Sequence, residues 1–166
     1  METKDTGKHP MRCAQPGDII CIAGALGDAT SPCTEECVYL AQCEHVHMMA
    51  VLYDGIDPAI KRIMKHGGVS AEIQLEKIPF GDRLMQQYDS QLSKLYHLAL
   101  HECDVHELLA IVHYKHFADF NVEYQKRFGT PLHAIGHIVE GDPTRVNYTE
   151  NAFGAMPIDI PLEHFC

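Results

Sequence analysis

One run constrains this chain more than any other: Pro16-Gly17-Asp18-Ile19-Ile20-Cys21-Ile22, a turn that feeds directly into apolar residues. The Pro-Gly-Asp chemistry sets a turn, and the isoleucines that follow, bounded by Gly17 and Gly24, predict a strand over residues 18–23. A second apolar run begins at His45 and His47 and closes at Asp54-Gly55. Its length and terminal turn favour a strand over residues 45–53, against the alternative of a continuing helix. Cys21, Cys33, Cys37 and Cys43 fall in the same stretch. Residues 15–55 are therefore where chemistry is expected, with the rest of the chain as support.

The chain has 166 residues, close to one domain of about 150 residues, and is long enough to bury a core without disulfides or metal. We expect residues 1–14 to be a flexible leader and residues 15–166 a single domain. A formal charge of −10 argues against nucleic acid and anionic membrane surfaces, which would repel it. Twelve histidines shrink that imbalance below about pH 6.5. No run reaches the roughly 18 apolar residues of a membrane span, and the polar start METKDTGKHPMRC is not a secretory signal. Seven cysteines, an odd number, then point to a cytoplasmic protein with free thiols.

Further along, Ser31 and Pro32 can cap and start a short helix through Glu35, Glu36 and Cys37. Residues 59–65 are open between helix and strand, with Gly67-Gly68 as a turn that ends either. Residues 69–78 alternate and predict a strand, and residues 81–102 are helical in pattern. Asp104 with Glu107 has the form of a capping box, which predicts a helix or helix pair running to Phe128 and stopped by Gly129. Residues 133–139 are strand or short helix, residues 141–156 loop, and residues 157–166 extended. Strands first and helices later predict an α+β domain, a small and mainly antiparallel sheet packed against helices.

The early pattern resembles the permuted NlpC/P60 papain-like superfamily, in its lecithin:retinol acyltransferase-like and poxvirus-type branch. The matching strings are Pro16-Gly17-Asp18-Ile19-Ile20, His47-Met48-Met49-Ala50-Val51-Leu52-Tyr53-Asp54-Gly55, His66-Gly67-Gly68-Val69, and residues 72–78, which together span about residues 15–80. The resemblance implies His47 as general base and His66 as the group that orients it. It also implies a downstream cysteine at a helix start, where the dipole favours thiolate. The family's Asn-Cys-Glu-His-Phe string is not intact: Glu163-His164-Phe165 matches, but Leu162 stands at the nucleophile's place. Cys103, which directly precedes a predicted helix, ranks ahead of Cys166 as the displaced nucleophile. A third alternative is that no nucleophile remains and the fold serves for binding.

A metal site competes for the same histidine. Cys33, Cys37, Cys43, His45 and His47 are ligand types that zinc prefers, in a non-standard spacing; the plainer reading packs the cysteines as small apolar side chains. Glu102, His106 and His113 fall on one stripe if residues 102–113 are one helix, with His97, His101 and His116 nearby. The plainer reading there is a partly solvated helix face. Tyr88, Tyr96, Tyr114, Phe117, Phe120, Tyr124 and Phe128 recur at helical spacing and are expected in the core, and Asp82, Asp89, Glu123 and Glu140 at the solvated surface.

The function expected from these residues is a thiol hydrolase or acyltransferase. His47 would deprotonate a cysteine, Cys103 first, and the thiolate would attack a small-molecule, peptide or lipid amide or ester, with no cofactor. The alternative is a non-catalytic binding or interaction protein on the same fold, holding zinc through Cys33, Cys37, Cys43 and His45. Neither reading involves nucleic acid or an integral membrane segment.

Overall fold

The computed structural model describes residues 12–28, 33–102 and 107–150, and the backbone of residues 156–158. The elements in chain order are β1 (Ile19–Ala23), α1 (Thr34–Gln42), β2 (Val46–Val51), α2 (Ile56–Gly67), β3 (Ser70–Gln74), α3 (Asp82–Gln87), α4 (Leu92–His97), β4 (Leu108–Val112), α5 (Phe117–Phe128), β5 (Leu132–Val139), β6 (Val146–Glu150) and β7 (Met156–Ile158). A 3₁₀ turn, Leu75–Lys77, follows β3, and a π-helical turn, Leu98–Glu102, follows α4.

The strands form one sheet in the order β2-β4-β1-β5-β3-β6-β7. All neighbours are antiparallel except β3 and β6. The expected α+β class is therefore present. The core divides between the two faces of the sheet. On one, Ile20, Ile22, Leu109, Ile111, Ile73 and Ile135 pack against Ile56, Ile60 and Met64 of α2 and Leu95 of α4. On the other, Cys21, Leu108, Ala110 and Val112 pack against Leu40 of α1 and Phe120 and Tyr124 of α5. Each fully buried leucine or isoleucine contributes about 1.5–3 kcal/mol.

The strands expected at residues 18–23 and 45–53 are present as β1 and β2. Residues 59–65, open in the sequence, belong to α2, which ends at Gly68 in the left-handed region (φ 64°). The largest correction is at residues 104–128. Leu108–Val112 is not helical but a central strand, buried at every position. The Glu107 carboxylate is spent elsewhere: its Oε1 accepts the Gly27 N–H at 2.8 Å. The helix begins only at Phe117, and Gly129 (φ 78°) ends it as expected. A second correction is β6, which lies in the stretch read as loop. Tyr148 on it is buried, and its hydroxyl donates to Asp57 of α2. Among the aromatic residues expected in the core, Tyr114 is instead 53% exposed.

Among the described residues no helix is long and apolar enough to cross a membrane.

Candidate functional site

At one end of the sheet, Ile19 of β1 pairs with Val112 of β4, which pairs with Val46 of β2. The polar residues beside these three positions are Asp18, His113, His45 and His47. The ladder between β2 and β4 then skips a residue, since Met48 pairs with Ile111 and His47 has no partner of its own. Packing shows the same shift of parity. Val46 and Met49 contribute to the core under α1 and α5, while Met48 contributes to the opposite core. His47 is thus the extra residue of a β-bulge, a device that re-aims a side chain.

His47 is 5% exposed, and its Nδ1 lies 2.6 Å from Asp18 Oδ2. Asp18 is 2% exposed, and the same oxygen accepts the Gln15 N–H at 2.8 Å. The Asp18 carbonyl accepts the Ile138 N–H of β5, which fixes the backbone that carries the carboxylate. This arrangement holds the imidazole by Nδ1. The His113 ring stands edge-on to His47 at 5.6 Å. Desolvation holds His113 below the ordinary imidazole range; nearby Asp18 opposes this and His47 adds to it.

The resemblance implied His47 as general base and His66 as the group that orients it. His66 is exposed in the last turn of α2, and the side chain bonded to His47 is Asp18. The cysteines do not form the expected zinc cluster. Cys33 and Cys37 lie at the start of α1 and Cys43 at its end, all three partly buried against the core beneath α1 and α5. His45 stacks on His116, with centroids 4.0 Å apart. Among the described residues no group of three or more His, Cys, Asp or Glu is arranged to hold a metal ion. Burial pushes Cys21 up to about 12 and Cys33 up to about 11, and it raises Cys43 as well. Cys103, His106 and Cys166 lie outside the described residues. The stripe of Glu102, His106 and His113 is not one helix, because β4 separates its ends. His97 and His101 do neighbour each other, with rings 5.4 Å apart, and His97 Nε2 lies 3.1 Å from Glu102 Oε1.

The opposite end of the same three strands is built from glycines. Ala23 and Val51 both pair with Leu108, and beyond them Gly24, Gly27 and Gly55 adopt φ of 78°, 87° and 97°. Gly55 is required for contact as well as for φ, since a Cβ there would lie 2.3 Å from the Leu100 carbonyl oxygen. Glu107 holds this end together: its carboxylate accepts from Gly27 N–H and its carbonyl from Leu52 N–H. Gly55 precedes α2, whose first turn has no side-chain cap. Beside it, Asp54 accepts two bonds from the Arg62 guanidinium, at 2.9 and 3.1 Å.

This sheet with its two helical layers is an α+β fold similar to that of several solved structures. The particular structures it resembles are proteins of two kinds. Thiamine-monophosphate kinase from Stenotrophomonas maltophilia K279a matches with a TM-score of 0.65 and 20% identity, over 83% of this chain and 52% of that one. Hydrogenase maturation protein HypE in complex with ATP matches with a TM-score of 0.63 and 12% identity, over 95% and 55%. A HypE–HypF complex matches with a TM-score of 0.62 and 17% identity, over 92% and 55%. This chain thus spans about half the length of the structures it matches. No family model matches the chain, and no curated protein does. At these identities the likeness shows fold alone. It overturns the papain-like NlpC/P60 assignment, and with it the thiol hydrolase or acyltransferase reading and its zinc-binding alternative. The Pro-Gly-Asp strand and the histidine-led strand are real, but they belong to a different sheet.

Proposed function

We propose that this chain is one half of a nucleotide-handling protein, with its glycine-bearing sheet end toward the phosphates. The observation that carries the reading is the fold likeness, across most of this chain, to a kinase and to a protein solved with ATP. This is an analogy of fold, and local geometry agrees with it. The uncapped start of α2, directly after Gly55, presents backbone N–H groups, which favour anions. A chain of charge −10 repels a free nucleotide, and Mg²⁺ bound to the phosphates lowers that repulsion. The rest of the binding surface comes from a further polypeptide segment of similar size, in line with the half-length match.

Equilibrium dialysis with ATP and Mg²⁺, paired with thermal unfolding, tests this. Saturable binding is expected, with a stabilisation of about 2.7 kcal/mol at a hundredfold excess over Kd. ATP with Mg²⁺ that neither binds saturably nor shifts the unfolding midpoint would sink the reading.

The His47–Asp18 bond favours a second reading, that His47 is a proton-transfer group positioned by Asp18. NMR titration of the His47 ring in the parent and in Asp18→Asn tests it. A changed ring tautomer in the variant is expected; the same tautomer in both proteins would remove Asp18 from that role.

A further inference from the structure

The turn from β4 into α5 is short, and one ring holds it from inside. His113 follows the last residue of β4, and its N–H donates to the His45 carbonyl at 2.9 Å. Its own carbonyl accepts the His116 N–H at 3.1 Å, which closes the turn one residue before α5 begins. Within that turn the Lys115 N–H donates to Nδ1 of the His113 ring at 3.2 Å. An Asn or Asp oxygen commonly fills this place, two residues before the amide it holds. An imidazole can fill it only while Nδ1 carries no proton.

The surroundings keep the ring neutral. Among the described residues, the charged and titratable groups that face it are Asp18 ahead of β1, His47 of β2, and Tyr114, Lys115 and His116 of its own turn. Desolvation, His47, His116 and Lys115 disfavour the imidazolium, and Asp18 favours it. The Asp18 carboxylate is already engaged by His47 Nδ1 and the Gln15 N–H. The Tyr114 ring, stacked at 5.0 Å, attracts a cation but gives the Lys115 N–H no acceptor in place of Nδ1. His45 and His116 are differently set. They line a cleft with Glu44, Asp119 and Glu123, so those imidazoles take up protons against opposite charge.

We propose that His113 is an acid-released latch on the β4–α5 turn. Neutral, the ring holds the Lys115 N–H through Nδ1 and stands edge-on to His47 at 5.6 Å. Protonated, Nδ1 carries a hydrogen toward the Lys115 N–H, two donors meet, and the ring turns out of the bond. The turn then loses its internal tie, and the buried His47–Asp18 pair loses the ring at its edge. The ring is partly exposed, so the proton comes from water and returns to it. The latch does not depend on a nucleotide at the opposite end of the sheet.

NMR from about pH 8 to about pH 5 tests the latch in the parent and in two variants. In the parent, the Lys115 amide signal should follow the His113 ring signals with a shared midpoint below 6.5. Its exchange protection factor should fall about tenfold on the acid side, as one hydrogen bond is lost. In His113→Asn the side-chain oxygen reaches the same N–H and does not titrate, so the amide should stay protected across the range. Lys115→Gln removes a facing cation and should raise the His113 midpoint while the amide still follows the ring. A Lys115 amide that does not follow the His113 ring in the parent would overturn the assignment without any variant. So would the parent's acid response persisting in His113→Asn, which would place it on His45, His47 or His116 instead.

Discussion

Two histidine–carboxylate pairs in this molecule have the same chemistry and opposite settings. His47 and Asp18 meet at 2.6 Å with side chains 3% and 2% exposed. His137 and Glu72 meet at 3.2 Å across β5 and β3 with side chains 45% and 43% exposed. The first pair is shut away from water, so neither group can be left without the other. The second is solvated on both sides, and water replaces whichever partner is lost. Contact alone therefore says little about what a pair contributes; the cost of stranding a partner decides it.

The largest effect expected from breaking this contrast is at Asp18. Asp18→Ala strands the His47 imidazole and the Gln15 N–H, and should cost about 3–5 kcal/mol in urea unfolding. A loss below about 1 kcal/mol would mean that water reaches the pair. Tyr148→Phe is an intermediate case. It removes the donor to Asp57, but Asp57 keeps Lys61 at 2.8 Å, so a cost of about 1–3 kcal/mol is expected.

His133 sharpens the comparison from another side, as a histidine with burial but no carboxylate. Desolvation alone lowers its pKa from 6.5, so the folded state takes up its proton less readily than the unfolded chain. Its stabilising share is present above pH 6.5 and is lost as pH falls below it. Unfolding midpoints across that window should fall less steeply on acidification in His133→Gln than in the parent, and identical slopes would remove His133 from the effect. The smallest change is expected at His137→Ala, about 0–1 kcal/mol and fading with added salt. A loss as large as that of Asp18→Ala would erase the distinction between the two settings.

How much of this was legible in the sequence depended on whether the signal was local. Turn chemistry and short apolar runs marked β1 and β2, and Gly129 marked the end of α5, because each is decided within a few residues. Leu108–Val112 was misread because a short, wholly apolar run has no period to separate strand from helix, and the Asp104/Glu107 spacing imitated a cap. The Glu107 carboxylate serves a loop eighty positions earlier in the chain, a contact that no spacing announces. His47 stood out as the head of a strand, while Asp18, present in the very turn that opens β1, was not recognised as its partner. That pairing exists only because β4 lies between β1 and β2 and a bulge displaces His47. The family resemblance failed for the same reason. Short strings around two strands are compatible with more than one strand order, and the order of the sheet is a long-range property.

That order also bears on how the protein is made. The first strand of the chain lies inside the sheet, between β4 and β5, with Ile20 opposite Ile111 on one side and Gly136 on the other. A ribosome delivers β1 long before either neighbour, so its two hydrogen-bonding edges wait without partners while the intervening chain emerges. Contacts this distant in sequence make for slow folding and a long exposure to wrong pairings. A nascent chain released before β5 would lack one whole flank of its central strand, and such fragments should be held by chaperones or lost to aggregation rather than accumulate as folded pieces.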